Sequence, residues 1–530
     1  MGGPGINDKN VAAGPVAAHV FEQPGVYTVC LTAFDGKEMA ETAVQITVTD
    51  FAASNTVCIA NGAAPTPGVD AGCPAGATAV GNMTSWPTVV STYLSGTKGT
   101  NKKILLKRGG VFTGAANTNI AVTGPAMVGT FGVGAKPIIR TTGTGGTSAI
   151  LWANGSVDDL RLVDLDIDGQ GDSTRMGLRG TSSAISKLTI LRADFHDLGT
   201  SITVPISQVA ALADSVVVVD SKLRNMNGGA GGEGLFGAFS RLAIVGNHFD
   251  NSLQAEHLLR LEMVDKAVIS HNTFERSPSI KEMMSLRAIC PVACGGGGDY
   301  RPDLGLTGSA AWTKKVLISN NLFNTSSYTG IHAMATGPTP ETTLEDAIIE
   351  NNFFKNASGG GAAISLSRTN KITVRNNIVN LGTFGTAISA VVVPHAGASD
   401  IFVYNNAIFS GGDSLFGLST DDLLSNVVMR NNVLYAPNAG LWSKAAIGPG
   451  AVVSTTVAAS NNTTNGAQII TAPGPSFTNS SGSLSLPSDF RLAPGSYAIG
   501  KGLSVPVFMD FFGVLTRPQG AGVDMGATEQ

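Results

Sequence analysis

The sequence predicts an all-β fold, a solenoid of short parallel strands, on three observations. The first is a recurring phrase: an apolar residue, a polar pair rich in Asn, then two apolar residues. It stands at Val245-Gly-Asn-His-Phe249, Ile269-Ser-His-Asn-Thr-Phe274, Ile318-Ser-Asn-Asn-Leu-Phe323 and Ile349-Glu-Asn-Asn-Phe-Phe354. It returns at Val374-Arg-Asn-Asn-Ile-Val379, Val403-Tyr-Asn-Asn-Ala-Ile408 and Met429-Arg-Asn-Asn-Val-Leu434, and looser copies stand at Leu165-Asp-Ile167, Ala193-Asp-Phe195 and Ser221-Lys-Leu223. The second observation is spacing. The closing apolar residues, from Ile167 to Leu434, step by 28, 28, 26, 25, 49, 31, 25, 29 and 26 residues. A period in the twenties marks a solenoid coil. The 49-residue step is two coils, or one coil with an insertion. The third is that short apolar runs, such as Ala267-Val-Ile-Ser270 and Lys371-Ile-Thr-Val374, precede each polar pair. Asn at matching places in successive coils can stack as an amide ladder, which satisfies corner backbone groups and fixes the register. The Asn pairs therefore read as structural.

Composition narrows the partners. The 530 residues carry a net charge of -4, and only 14% are charged, so no basic surface for nucleic acid is visible. No apolar run is long enough for a transmembrane helix. The 66 glycines follow no collagen period and, with Asn, Ser and Thr, supply tight corners. Of five cysteines, Cys58 and Cys73 bracket a Gly/Pro-rich loop and Cys290 and Cys294 bracket Pro-Val-Ala, which leaves Cys30. Two local disulfides are expected, and with them a secreted or cell-surface protein. No signal peptide stands at Met1, and the chain is expected to start inside a domain.

In order, residues 1–50 read as β. Tyr27-Thr-Val-Cys-Leu-Thr-Ala33 and Ala43-Val-Gln-Ile-Thr-Val48 alternate with period two around an Asp35-Gly36 turn. His19 to Val29, that turn and Ile46 to Val48 together resemble the second half of a PKD domain, an extracellular immunoglobulin-like sandwich. The resemblance implies a half-sandwich lacking strand partners, expected to dock on the solenoid or on another chain, or to be poorly ordered. Residues 51–102 read as a linker and N-terminal cap, with a short helix starting at Ser91-Thr-Tyr-Leu94. The coils span 103–484, and 485–530 close the chain. Asp489-Phe-Arg-Leu-Ala-Pro-Gly-Ser496 and Val523-Asp-Met-Gly-Ala-Thr-Glu529 resemble the closing segment of secreted right-handed parallel β-helix proteins. The stretch 100–530 resembles that superfamily, whose members include pectate and alginate lyases, polygalacturonases, tailspikes and adhesins. The fold alone does not choose among them.

Candidate chemistry concentrates in one place. Ten of the 32 residues from 256 to 287 are charged, about twice the chain average, and His257 and His271 join them. Alternation in Leu258–Met263 points Arg260 and Glu262 outward and Leu259, Leu261 and Met263 inward; in Met283–Ala288 it points Ser285 and Arg287 outward. His332 follows one or two coils on. Coils lie about 4.8 Å apart, so Arg260, Arg287 and His332 are expected to form a ladder beside Glu262, with Lys281 entering from the preceding turn. Stacked guanidinium forks suit the carboxylates of an acidic polysaccharide. β-Elimination beside a uronate needs that charge neutralised and a base for the C5 proton. Ser285-Leu-Arg287, Asn320-Asn-Leu-Phe323 and Gly330-Ile-His332 resemble, over roughly 80 residues, the alginate and chondroitin lyase family of β-helix enzymes.

The resulting expectation is an extracellular protein that binds, and cleaves as a lyase, a uronate-containing glycan. Arg260 and Arg287 would neutralise the carboxylate, and Lys281, His257 or His332 would act as base. Glu256 and Glu262 would orient the cations or hold calcium, with Lys266 and His271 beside them for substrate. The competing reading makes these charges inter-coil ion pairs. Asp166, Asp168 and Asp172 could offer oxygens to calcium. Asp164, Asp166 and Asp168 also alternate outward, as a hydrolase pair would require. An Asp/Gly-rich corner is the simpler account of that stretch. The alternative from another class is a non-catalytic surface, adhesive or filament-forming protein that self-assembles through residues 1–50.

Overall fold

The computed structural model describes residues 17–34, 38–115, 117–143, 148–181, 184–205, 212–228, 232–253, 256–277, 281–287, 313–324, 330–334, 344–355, 363–366, 369–380, 389–393, 399–409, 416–420, 425–435, 458–459, 477–479, 484–496, 498–507, 509–513, 516–520 and 522–530. Strand after strand pairs in parallel with the strand one coil on, which builds a solenoid of three lateral sheets. In the coil closed by Phe274, residues 259–261 of the strand Leu259–Ser270 lie in the first sheet, and 264–270 continue into the second. The chain then turns at the polar pair into Thr273–Glu275 of the third sheet.

The two members of the polar pair divide the work of that turn. The first adopts left-handed backbone in ten successive coils: Asp164, Arg192, Asp220, Gly246, His271, Asn320, Asn351, Asn376, Asn405 and Asn431 all have φ between 51° and 71°. Asn and Gly tolerate that region best. The second is buried and forms the ladder. Asn247, Asn272, Asn321, Asn352, Asn377, Asn406 and Asn432 each donate through Nδ2 to a main-chain oxygen one coil back. From Asn272 onward, each Oδ1 accepts two bonds from the preceding Asn, at 2.8–3.1 Å. Ser221 and Ala193 carry the corner back towards the N-terminus with weaker chemistry.

Inside the tube the closing apolar residues stack. Phe249, Phe274, Phe323 and Phe354 lie face to face with centroids 4.7–4.9 Å apart, a separation set by the coil repeat and favourable for offset rings. The first rung comes earlier than residue 103: Thr56–Ile59 is buried throughout and pairs in parallel with Lys102–Lys107. The Cys58–Cys73 disulfide forms there. Cys30 is free and exposed, and Cys290 and Cys294 lie outside the described residues. Helical turns at Trp86–Val89 and Val90–Leu94 bury Trp86, Val89, Val90 and Leu94 against the first coils.

Over its described residues, the closing segment covers one side of the tube. It packs on the flank, where Phe477, Phe490, Phe511 and Met525 cover Phe353, Ile378, Ala407 and Val433 on the outside of the third sheet. Asn376, Asn405 and Asn431 tie it to the corner by bonds to the main chain of Met509, Asp524 and Leu503. At the other end, Gly25–Phe34 and Met39–Val48 form a separate antiparallel hairpin. It leaves Val26, Leu31, Met39 and Val44 more than half exposed. Residues ahead of it dock on the solenoid: Ala18 packs beside Ala243, Val245 and Val268, and Glu22 pairs with Arg192.

Candidate functional site

In the first sheet Phe236, Arg260, Ser285, His332 and Ser365 are register partners in successive coils. Arg260 and His332 therefore share a column, as the alternation predicts. Arg287 does not: it pairs with Met334, two residues along, and Ser285 takes the place next to Arg260. Ser285 faces the same way as Arg260 yet is fully buried.

Immediately before these strands comes a residue that the sequence reading passed over. Glu233 is 4% exposed, and its Oε1 lies 3.4 Å from Nη1 of Arg260. The same guanidinium sits over the ring of Phe236, 5.1 Å from its centroid. Burial pushes the Glu233 carboxyl above the usual range. Arg260 pulls it back down, and the neighbouring charge of Glu256 pushes it up again. Glu256 in turn lies 3.9 Å from Lys281. One chain of charged groups thus runs Arg260, Glu233, Glu256, Lys281.

His257 belongs to the same bend but to its inside. It is fully buried, with Nδ1 3.1 Å from both the main-chain oxygen and the carboxylate Oε2 of Glu282. That placement withholds it from a ligand. Glu262 is buried too, against the expected alternation, and Met263 is only half-buried. The cause is a register shift: Gly237 and Ala238 pair with Leu261 and Met263, which leaves Glu262 in the bulge.

Lys266 and His271 lie elsewhere. Lys266 has passed into the second sheet, where it lines a cavity of about 510 Å³ with Lys315, Asp346 and Lys371. His271 is the left-handed corner residue of its coil and is buried. The three aspartates do not converge. The Asp172 carboxylate accepts from the N–H and Oγ1 of Thr174 at 2.9 and 2.7 Å. Asp166 instead bonds His196 Nε2 at 2.8 Å, and Asp197 bonds its Nδ1 at 2.7 Å, with Asp168 at 3.9 Å. Asp168, His196 and Asp197 could hold an ion by spacing alone. With both ring nitrogens already held by carboxylates, the group suits an ion pair better than oxygen-seeking calcium. Asp164 pairs with Arg192 and Arg108.

Residues 306–485 match the family described as "Right handed beta helix region". The fold is a right-handed parallel β-helix. Among solved structures, this β-helix is similar to the Dettilon tailspike protein, with a TM-score of 0.36 and 9% identity over 61% of this chain and 67% of that one. It is also similar to the alginate lyase from Paenibacillus sp. str. FPU-7, with a TM-score of 0.25 and 12% identity over 70% of this chain and 96% of that one. No curated protein matches.

Proposed function

We propose that this β-helix binds an extracellular polysaccharide bearing carboxylates along its first sheet and cleaves it by β-elimination beside Arg260. The observation that carries the reading is the buried Glu233 held against Arg260, with Glu256 and Lys281 behind it. Buried carboxyls with shifted pKa values cluster where proton transfer is done. In the reaction, Arg260 takes the uronate carboxylate and stabilises the charge that develops there. His332, on the same column, or Lys281 takes the C5 proton. The C4–O bond breaks, a double bond forms between C4 and C5, and Glu233, whose pKa burial raises, returns a proton to the departing oxygen.

The test is absorbance at 235 nm while the protein is mixed with a panel of uronate polysaccharides. A rise with the wild type that disappears in Arg260→Ala supports the reading. A flat trace with the wild type across the panel removes it. A second reading, non-catalytic self-assembly, is favoured by one observation: the apolar side chains of the N-terminal hairpin stand in solvent. A lone two-stranded hairpin is marginal in water, and a neighbouring copy would cover it. Sedimentation across a concentration series separates a monomer from such an assembly.

A further inference from the structure

Upstream on the same sheet, Trp152 pairs in register with Arg179, Arg179 with Thr203, and Thr203 with Phe236. Trp152, Arg179, Thr203, Phe236 and Arg260 therefore form one outward column over five consecutive coils. All five are only half-buried. The column contains one unit twice. Arg179 sits over the indole of Trp152 at 5.7 Å, as Arg260 sits over Phe236 at 5.1 Å. The two units are three coils apart, about 14 Å.

The upstream unit differs from its twin in being open. It lines a cavity of about 430 Å³ together with Asn154, Ser156, Thr181 and Pro205. Arg161, Arg192, Arg224, Arg241 and Arg260 each hold a carboxylate. Among the described residues Arg179 holds none, and the indole is its ring partner. A tryptophan left half in solvent, a fixed guanidinium and nearby amide and hydroxyl groups form the mixture that orients a hydroxyl-rich, acidic ligand in a cleft. The planar guanidinium fork of Arg179 donates two parallel hydrogen bonds to a carboxylate.

We infer that the cavity at Trp152 and Arg179 is a distal subsite for an acidic polysaccharide, which lies along the solenoid axis and reaches Arg260 three coils on. The inference deepens the glycan reading of this sheet and rests on it for the ligand class, but it concerns binding and needs no cleavage. It predicts a length requirement: an oligomer must span from Arg179 to Arg260, three coil steps or about 14 Å, to engage both arginines.

The experiment is calorimetric titration of the full chain with oligouronates of increasing length, and with neutral oligoglucosides of matched length. Affinity for uronates should rise once the oligomer spans the column. Arg179→Ala and Trp152→Ala should each lower affinity for the long oligomers about tenfold. Arg179→Lys keeps a charge at the site, guards against a folding artefact, and should fall between the two. Long uronates binding Arg179→Ala and Trp152→Ala as tightly as wild type would overturn the proposal. So would neutral oligomers binding as well as charged ones, or no binding to any of them. If length-dependent binding persists without a 235 nm signal, the lyase falls and the subsite stands. If cleavage occurs and both variants bind as wild type, the subsite falls alone.

Discussion

Asn272 and Asn321 stand 49 residues apart in the chain and touch across a single coil step. Both the backbone N–H and the Nδ2 of Asn272 donate to Oδ1 of Asn321, each at 2.9 Å. The long step in the repeat is therefore one coil with an insertion, and the ladder crosses it without a break. Replacing Asn321 by Ala strands the Asn272 N–H and the Ile269 carbonyl in a dry corner. Each such group costs about 1–3 kcal/mol. Its neighbour Asn320 does a different job, backbone φ of +55°, which Gly performs as well. Chemical denaturation should show Asn321→Ala more strongly destabilised than Asn320→Gly. Equal losses would mean that the pair does not divide its work as described.

The repeat was legible because its cause is local. An Asn needed at one corner in every coil leaves a mark in every coil, and the stacked Phe column follows it at fixed distance. The charged stretch 256–287 was legible as composition, and Arg260 and His332 do share a column. Its fine placement was not. Each short strand sets its own phase, so alternation alone puts Arg287 level with Arg260, whereas Ser285 is the register partner. A one-residue bulge at Gly237 then inverted Glu262 and Met263. Glu233 left no signal, since it stands alone in a Gly-rich stretch and becomes unusual only when the next coil closes over it. Trp152 and Arg179 are 27 residues apart and meet only through the coil repeat.

His196 predicts a pH window. Burial alone would lower its pKa, but hydrogen bonds to Asp166 and Asp197, with the further charge of Asp194, outweigh burial and raise it from 6.5 to about 9. A raised folded pKa means that the native state holds the proton more tightly. The contribution is fully present below pH 6.5 and is lost as pH rises through about 9. Its size is on the order of 3 kcal/mol. Wild-type melting temperature should fall between those limits, and His196→Gln should flatten the fall. An unchanged slope in the variant would place the titrating group elsewhere.

The flank clasp hangs on one buried pair. Arg517 Nη1 bonds Glu529 Oε2 at 2.7 Å with both side chains sealed from solvent. Desolvation opposes the charge on each, lowering the arginine and raising the carboxyl. Removing one partner of such a pair leaves the other charge buried and costs about 3–5 kcal/mol. Glu529→Gln should therefore loosen the closing segment and uncover Phe353, Ile378, Ala407 and Val433. Hydrogen exchange would rise there and not in the coils before Asn247. A uniform rise along the chain would show that the clasp and the solenoid unfold as one unit.

Glu233 gives the sharpest prediction for chemistry. Burial and the charge of Glu256 raise its pKa against the pull of Arg260, and Glu233→Gln keeps the shape while removing the transferable proton. If Glu233 returns that proton to the leaving oxygen, the variant should lose about 100-fold or more in turnover. Its affinity for the glycan should stay near wild type, because Arg260 remains in place to meet the carboxylate. Arg260→Ala should lose binding as well as turnover. Wild-type turnover should also decline as pH rises through the elevated pKa of Glu233, since the ionised form has no proton to give. Turnover and calorimetric affinity measured together decide the role. Full turnover in Glu233→Gln would make Glu233 a structural partner of Arg260. Lost affinity without slower turnover would make it a binding group.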